Sequence, residues 1–161
     1  MTPLQSDFRR AMSRLAGGVT VLSTRLGTHD HAMTASAVCS VSLDPPLVLA
    51  SIEVAARFHD AVIESGILGI SILTMAQRAH ADWLATPGRP IIGQLDRVPV
   101  HRAPSGVVLL DESLATLDCA TWAVYPAGDH SLVVAEVLAI TLADDPDAAL
   151  VYYRNRFGSL E

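Results

Sequence analysis

At 161 residues and 17.1 kDa the chain is long enough for one domain (1–161) with its own core and too short for two. A formal charge of −6, with scattered acidic residues, argues against a surface that tracks nucleic-acid phosphates, and all 11 basic residues are arginine, which excludes a Schiff-base or P-loop lysine. Half the residues are apolar, yet no run approaches the roughly 18 needed for a membrane span, and the N-terminus lacks the order of a secretory signal, so a cytoplasmic protein that meets no membrane is expected.

The spacing of Phe8, Met12 and Leu15 predicts a helix over 7–16, capped by Ser6 or Asp7 and ended by Gly17-Gly18. Residues 19–24 read as a first strand and 25–31, with Gly27 and Asp30, as a hairpin loop. His29 and His31 have no acidic or cysteine cluster at ligand spacing, so no metal site is expected. Residues 31–53 set Thr34, Ser36, Ser40, Ser42 and Ser51 among Val and Leu and are interrupted by Asp44-Pro45-Pro46, which reads as two strands and a corner. A buried hydroxyl without a partner costs about 1–3 kcal/mol, so these groups meet either neighbouring main chain or a polar, planar or phosphorylated ligand. Cys39 and Cys119, in apolar strand-like runs, read as buried, reduced thiols.

Residues 54–64 read as a helix with Phe58, Val62 and Ala55 inward. Arg57 near its start is either a solvated side chain or a fork for a phosphate, which would also gain from the free N–H groups there. A strand over 67–73 and a helix over 74–84, capped by Thr74, follow. Residues 86–105, rich in Pro and Gly, read as a loop with a short strand near Val98, and loops of this length often complete a binding site. Residues 107–111, 115–124 and 131–140 are strand-like, and Gly128-Asp129-His130 reads as a turn. Closely spaced strands with few helices indicate a mainly β, antiparallel barrel with flanking helices, and no G-x-G-x-x-G follows a strand.

Met33-Thr34-Ala35-Ser36 and Ser40-Val41-Ser42-Leu43-Asp44-Pro45-Pro46-Leu47-Val48 lie close to the pattern G-M-T-x-S-S-x-x-S-V-S-L-D-P-P-L-V. Gly128-Asp129-His130 is followed by the hydroxyl of Ser131, and the chain closes on Leu150-Val151-Tyr152-Tyr153-Arg154-Asn155-Arg156-Phe157, close to L-x-Y-Y-R-x-R-Y. With these motifs in this order, from Phe8 to Phe157, the chain resembles the short-chain flavin reductases, which are FMN-binding split β-barrels. It departs from their pattern at Ala32, where Gly is usual, at Ala37, where Ser is usual, and at Ser71, where Asn is common.

The resemblance implies a homodimer that binds FMN or FAD and takes NADH or NADPH as co-substrate, with hydride passing from nicotinamide C4 to flavin N5 and no metal. It assigns flavin binding to Met33, Thr34, Ala35, Ser36, Ala37, Ser40, Ser42, Ser51, Ile52, Gly128, Tyr152 and Arg156, with Arg57 at the phosphate. His130 is implied beside the flavin where nicotinamide stacks, with Asp129 holding the turn. Such reductases supply reduced flavin, by diffusion, to a separate monooxygenase. The alternative is a flavin- or haem-binding carrier or sensor on the same barrel without turnover; a pyridoxine-phosphate-type oxidase would want a more basic surface.

Overall fold

The computed structural model describes residues 1–144 and 147–161. Its elements are α1 (Pro3–Met12), β1 (Gly17–Gly18), β2 (Thr20–Leu26), β3 (His29–Ala35), β4 (Val38–Leu43), β5 (Pro46–Glu53), α2 (Arg57–Ser65) and β6 (Ile67–Ile72). After a 3₁₀ turn (Met75–Gln77) come α3 (Arg78–Ala85), β7 (Val100–Arg102), β8 (Val108–Leu110), β9 (Ala115–Ala127), β10 (His130–Leu142), β11 (Ala149–Tyr153) and β12 (Arg156–Leu160). The pairings are antiparallel, and seven strands form one sheet in the order β3-β2-β6-β9-β10-β5-β4. Smaller sheets join β1-β11-β12 and β7-β8. No helix among the described residues is long and apolar enough to cross a membrane.

β2 explains how one sheet serves two cores, because alternate residues of a strand face opposite sides. Leu22 enters a core with Ile52, Phe58, Val62, Leu68, Ile70 and Val133, drawn from β5, α2, β6 and β10. Val19 and Val21 face the other way, onto Leu73, Ala81, Leu84 and Leu150, so that α3 and β11 pack on the outer side. Buried hydroxyls of β2 and β6 find main-chain partners: Thr20 donates to Ala35 O at 2.8 Å, Thr24 to Ile67 O at 2.8 Å, and Ser71 accepts from Leu110 N at 3.0 Å. Gly69 of β6 leaves no room for a side chain, since a Cβ would come within 2.9 Å of Val107 Cγ2.

Three expectations are corrected. The first helix runs over Pro3–Met12, not 7–16, because Thr2 and Gln5 form a reciprocal cap (Thr2 N to Gln5 Oε1 at 2.6 Å, Gln5 N to Thr2 Oγ1 at 3.2 Å) with Pro3 at the first turn. None of its residues is buried, and Phe8 is 63% exposed. The short strand of the 86–105 loop lies at Val100–Arg102 rather than at Val98, which is buried in the second core. Cys39 is exposed, because β4 is the edge of the sheet and presents one side to solvent.

Cys119 is fully buried, and burial, followed by the charge of Asp118, pushes its thiol up to about 12. A thiolate is the reactive form, so the native protein is expected to release one equivalent of chromophore in a thiol titration, from Cys39, and two after denaturation. Two equivalents from the native protein would contradict the burial of Cys119.

Candidate functional site

The turns and strand ends gather around three adjoining clefts. The first, about 390 Å³, lies between β3, the start of α2 and the irregular stretch after α3, with Met33, Thr34, Arg57 and Arg89 in its wall. The second, about 650 Å³, shares Thr34 and Ala85 with the first and adds Ala35, Ser36, Tyr152 and Arg156. The third, about 990 Å³, shares Glu53 with the first and is walled by Asp129 and His130 on one side and by Leu4 and Phe8 of α1 on the other. Together they make a band from the β11–β12 turn to the β9–β10 turn.

Each side chain owes its place to local geometry. Gly128, at φ +67°, allows the tight turn that reverses β9 into β10, and the ladder register sets His130 opposite Glu53 of β5. His130 Nδ1 lies 2.7 Å from Asp129 Oδ1, and this hydrogen bond holds the Asp129 carboxyl below the usual carboxylate range. An ionised carboxylate only accepts, so Nδ1 carries the proton and Nε2 is left for another partner. On the far side of the band, Arg154 and Asn155 occupy positive φ of 50° and 60°, turning β11 into β12 so that Tyr152 and Arg156 border one cleft.

Thr34 donates to Ala81 O at 2.7 Å, which ties β3 to α3 across the junction of the first two clefts. Arg57 is the first residue of α2, and the N-cap Ala56 has no side-chain acceptor for the first-turn N–H groups. Burial first, then the charges of His29 and Arg57, hold His31 below its ordinary value of 6.5. As pH falls below that value the unfolded chain takes up a proton that the folded chain resists, so stability declines in this window. His31→Gln is therefore expected to shrink the drop in urea midpoint between about pH 7 and about pH 5, measured by tryptophan fluorescence; an unchanged drop would contradict it.

The band brings together Met33, Thr34, Ala35, Ser36, Arg57, Asp129, His130, Tyr152 and Arg156. Other residues singled out from the sequence stand elsewhere. Ser40 and Ser42 lie on the edge strand β4, Ile52 is 1% exposed in the core, and Ser51 pairs across the sheet with Leu132. Ala37 accepts from Ser51 N at 2.9 Å, and Gly128 shapes the turn without bordering a cleft. Sequence reasoning missed Arg89, in an aperiodic Pro/Gly stretch, and Glu53, which joins two clefts. It also missed His59, which is buried with Nε2 2.9 Å from Ser131 Oγ and Nδ1 2.8 Å from Asp60 Oδ1, fixing the residue that follows His130.

The flavin reductase like domain model matches residues 12–161. An NADH-dependent flavin reductase from Rhodococcus sp is 41% identical over 165 residues, covering 100% of this chain and 88% of the relative. The NADH-dependent FMN reductase AsuE2 of Streptomyces nodosus subsp. asukaensis is 34% identical, covering 99% and 86%. Among solved structures, BorF, the flavin reductase component of a bacterial two-component tryptophan halogenase, superposes with a TM-score of 0.91 at 39% identity, covering 97% of this chain and 98% of its own. The chain belongs to the flavin reductase family.

Proposed function

We propose that residues 1–161 form one flavin-binding unit in which the band of clefts holds flavin and nicotinamide side by side. The chain acts as an NAD(P)H:flavin oxidoreductase, with FMN or FAD as flavin and NADH or NADPH as reductant. Reduced nicotinamide gives a hydride to the flavin, chemistry that the two bound rings supply without a protein nucleophile or metal. The protein's share is to bind, orient and shield them.

Arg57, which has no ion-pair partner among the described residues, and the first turn of α2, whose N-cap offers no side-chain acceptor, suit the flavin phosphate. Met33, Thr34, Ala35 and Ser36 offer hydroxyls and main-chain groups to the ring and ribityl chain, with Tyr152 and Arg156 beside them, while Ala37, Ser40, Ser42, Ser51, Ile52 and Gly128 hold these walls in place from the neighbouring strands and turn. His130, oriented by Asp129 through Nδ1, turns Nε2 to the nicotinamide. Leu4 and Phe8 of α1 give the same cleft an apolar wall. The observation that carries this reading is that the cleft walled by Arg57 and the cleft walled by His130 share Glu53.

The seven-stranded antiparallel sheet with a core on each side supports a split barrel, and the apolar residues left exposed support a homodimer. Phe8 and Met12 of α1, Leu43 of β4, and Leu138, Ile140 and Leu142 at the far end of β10 are all exposed, a distribution that a second copy would cover. The reduced flavin leaves by diffusion for a separate cytoplasmic monooxygenase. Steady-state NADH consumption is the test: it should require protein and added flavin together, and consumption independent of flavin would contradict the reading. Sedimentation should give the mass of two chains.

A further inference from the structure

Arg89 lies on the irregular stretch between α3 and β7, 32 residues from Arg57, yet borders the same cleft. Its guanidinium donates through Nη1 to Thr86 O at 3.1 Å and through Nη2 to Ala32 O of β3, while Nε is buried with no partner. Arg57 in turn donates through Nη2 to Arg89 O. Among the described residues neither guanidinium has a carboxylate within ion-pair distance. Burial, followed by the charge of Arg57, pushes Arg89 below its ordinary value, which marks a cation held where it is not compensated.

Two guanidiniums sharing one cleft, in a chain whose net charge is −6, repel each other until an anion enters. The start of α2 adds main-chain N–H groups to the same wall. Carbonyl oxygens already take one donor each from Nη1 and Nη2 of Arg89, so its fork is fixed in place, and the carboxylate in the same wall, Glu53, lies outside ion-pair distance of both guanidiniums. Such a pre-ordered pair recognises phosphate oxygens by charge-assisted hydrogen bonds and offers little to a neutral hydroxyl chain.

We propose that Arg89 joins Arg57 in a two-guanidinium phosphate clamp, and that Arg89 sets the preference of the site for phosphorylated over non-phosphorylated ligands. The inference rests on the reductase reading and adds a residue that the motifs named in the sequence do not include. The phosphate comes either from the flavin or from the diphosphate of the nicotinamide dinucleotide, and the chemistry is the same for both.

The test compares wild type, Arg89→Gln and Arg89→Lys. Affinities for FMN and riboflavin are read from quenching of flavin fluorescence, and KM values are taken for NADH and for dihydronicotinamide riboside, which lacks the phosphates. If the flavin supplies the phosphate, Arg89→Gln lowers the ratio of FMN to riboflavin affinity by about tenfold or more, and Arg89→Lys, which keeps the charge, loses less. If the dinucleotide supplies it, the same collapse appears in the NADH to dihydronicotinamide riboside comparison. Parallel losses for phosphorylated and non-phosphorylated probes would reduce Arg89 to a pin for its loop and overturn the proposal, as would no loss at all. Wild type gives an independent check, because inorganic phosphate should displace FMN or raise the KM for NADH while leaving riboflavin and the riboside unaffected; no selective competition also overturns the clamp. A protein that prefers FMN over riboflavin in binding yet oxidises no NADH would instead contradict the reductase reading and leave the clamp standing.

Discussion

His130→Ala is expected to lower kcat/KM for NADH by about 100-fold, equivalent to about 2.7 kcal/mol of transition-state stabilisation, while flavin affinity changes by less than about threefold. The asymmetry follows from where the residue stands. His130 borders the cleft that ends at the β9–β10 turn, whereas Arg57 and Thr34 border the adjoining clefts. On the proposed reading, removing the imidazole takes away the group assigned to align the nicotinamide and leaves the residues assigned to the flavin in place. Asp129→Asn should reproduce part of the loss, because the amide no longer offers His130 Nδ1 an ionised acceptor. Steady-state kinetics with a parallel flavin titration checks both, and equal losses in turnover and flavin binding would remove the assigned role.

Leu22→Ala is expected to cost about 2–5 kcal/mol in folding stability, which for a chain of this size lowers Tm by roughly 10 °C. Leu22 is 0% exposed and sits on β2, between β3 and β6, with its side chain in the core that also takes Ile52, Phe58 and Val133. Truncation there leaves a cavity bounded by strands already tied into the ladder, and so unable to collapse onto it. Leu138→Ser, at a site 57% exposed, should instead leave the unfolding of the single chain nearly unchanged and weaken its association with a second copy. Urea unfolding followed with sedimentation separates the two effects, and a loss below about 1 kcal/mol for Leu22→Ala would contradict the packing described.

Much of this fold was written in alternation. The β9–β10 hairpin was legible because two apolar runs, 115–124 and 131–140, flank the Gly128-Asp129 turn, although the strands extend further toward the turn than those runs, as far as Ala127 and His130. Apolar spacing alone starts the first helix too late, even though Thr2-Pro3-Leu4-Gln5 carries a capping box with proline inside it. Its apolar spacing drew the eye to Leu15, while the hydrogen bonds of its cap decide where the helix begins. Periodicity also announces a face without naming what covers it: Phe8 and Met12 have helical spacing, yet both are exposed.

The position of the candidate site was legible where motif and turn coincide, since Asp129 and His130 stand at a turn that borders a cleft, and opaque where the chain has no period. Arg89 lies in a Thr-Pro-Gly-Arg-Pro stretch that predicts only a loop; its approach to Arg57 depends on Trp83 Nε1 binding Gln94 O at 2.7 Å and Gln94 Nε2 binding Asp30 O at 3.0 Å, contacts that lay the loop over β3. His59 escaped notice for a similar reason. A lone histidine on a helix gives no sign that the residue it will touch lies 72 positions away.

Anaerobic mixing of the purified protein with FMN and NADH, followed by the bleaching of the flavin's visible absorption, tests the central claim most directly. Protein-dependent bleaching, one flavin reduced for each NADH oxidised, is the predicted result; flavin that binds tightly but keeps its colour in the presence of NADH would contradict it.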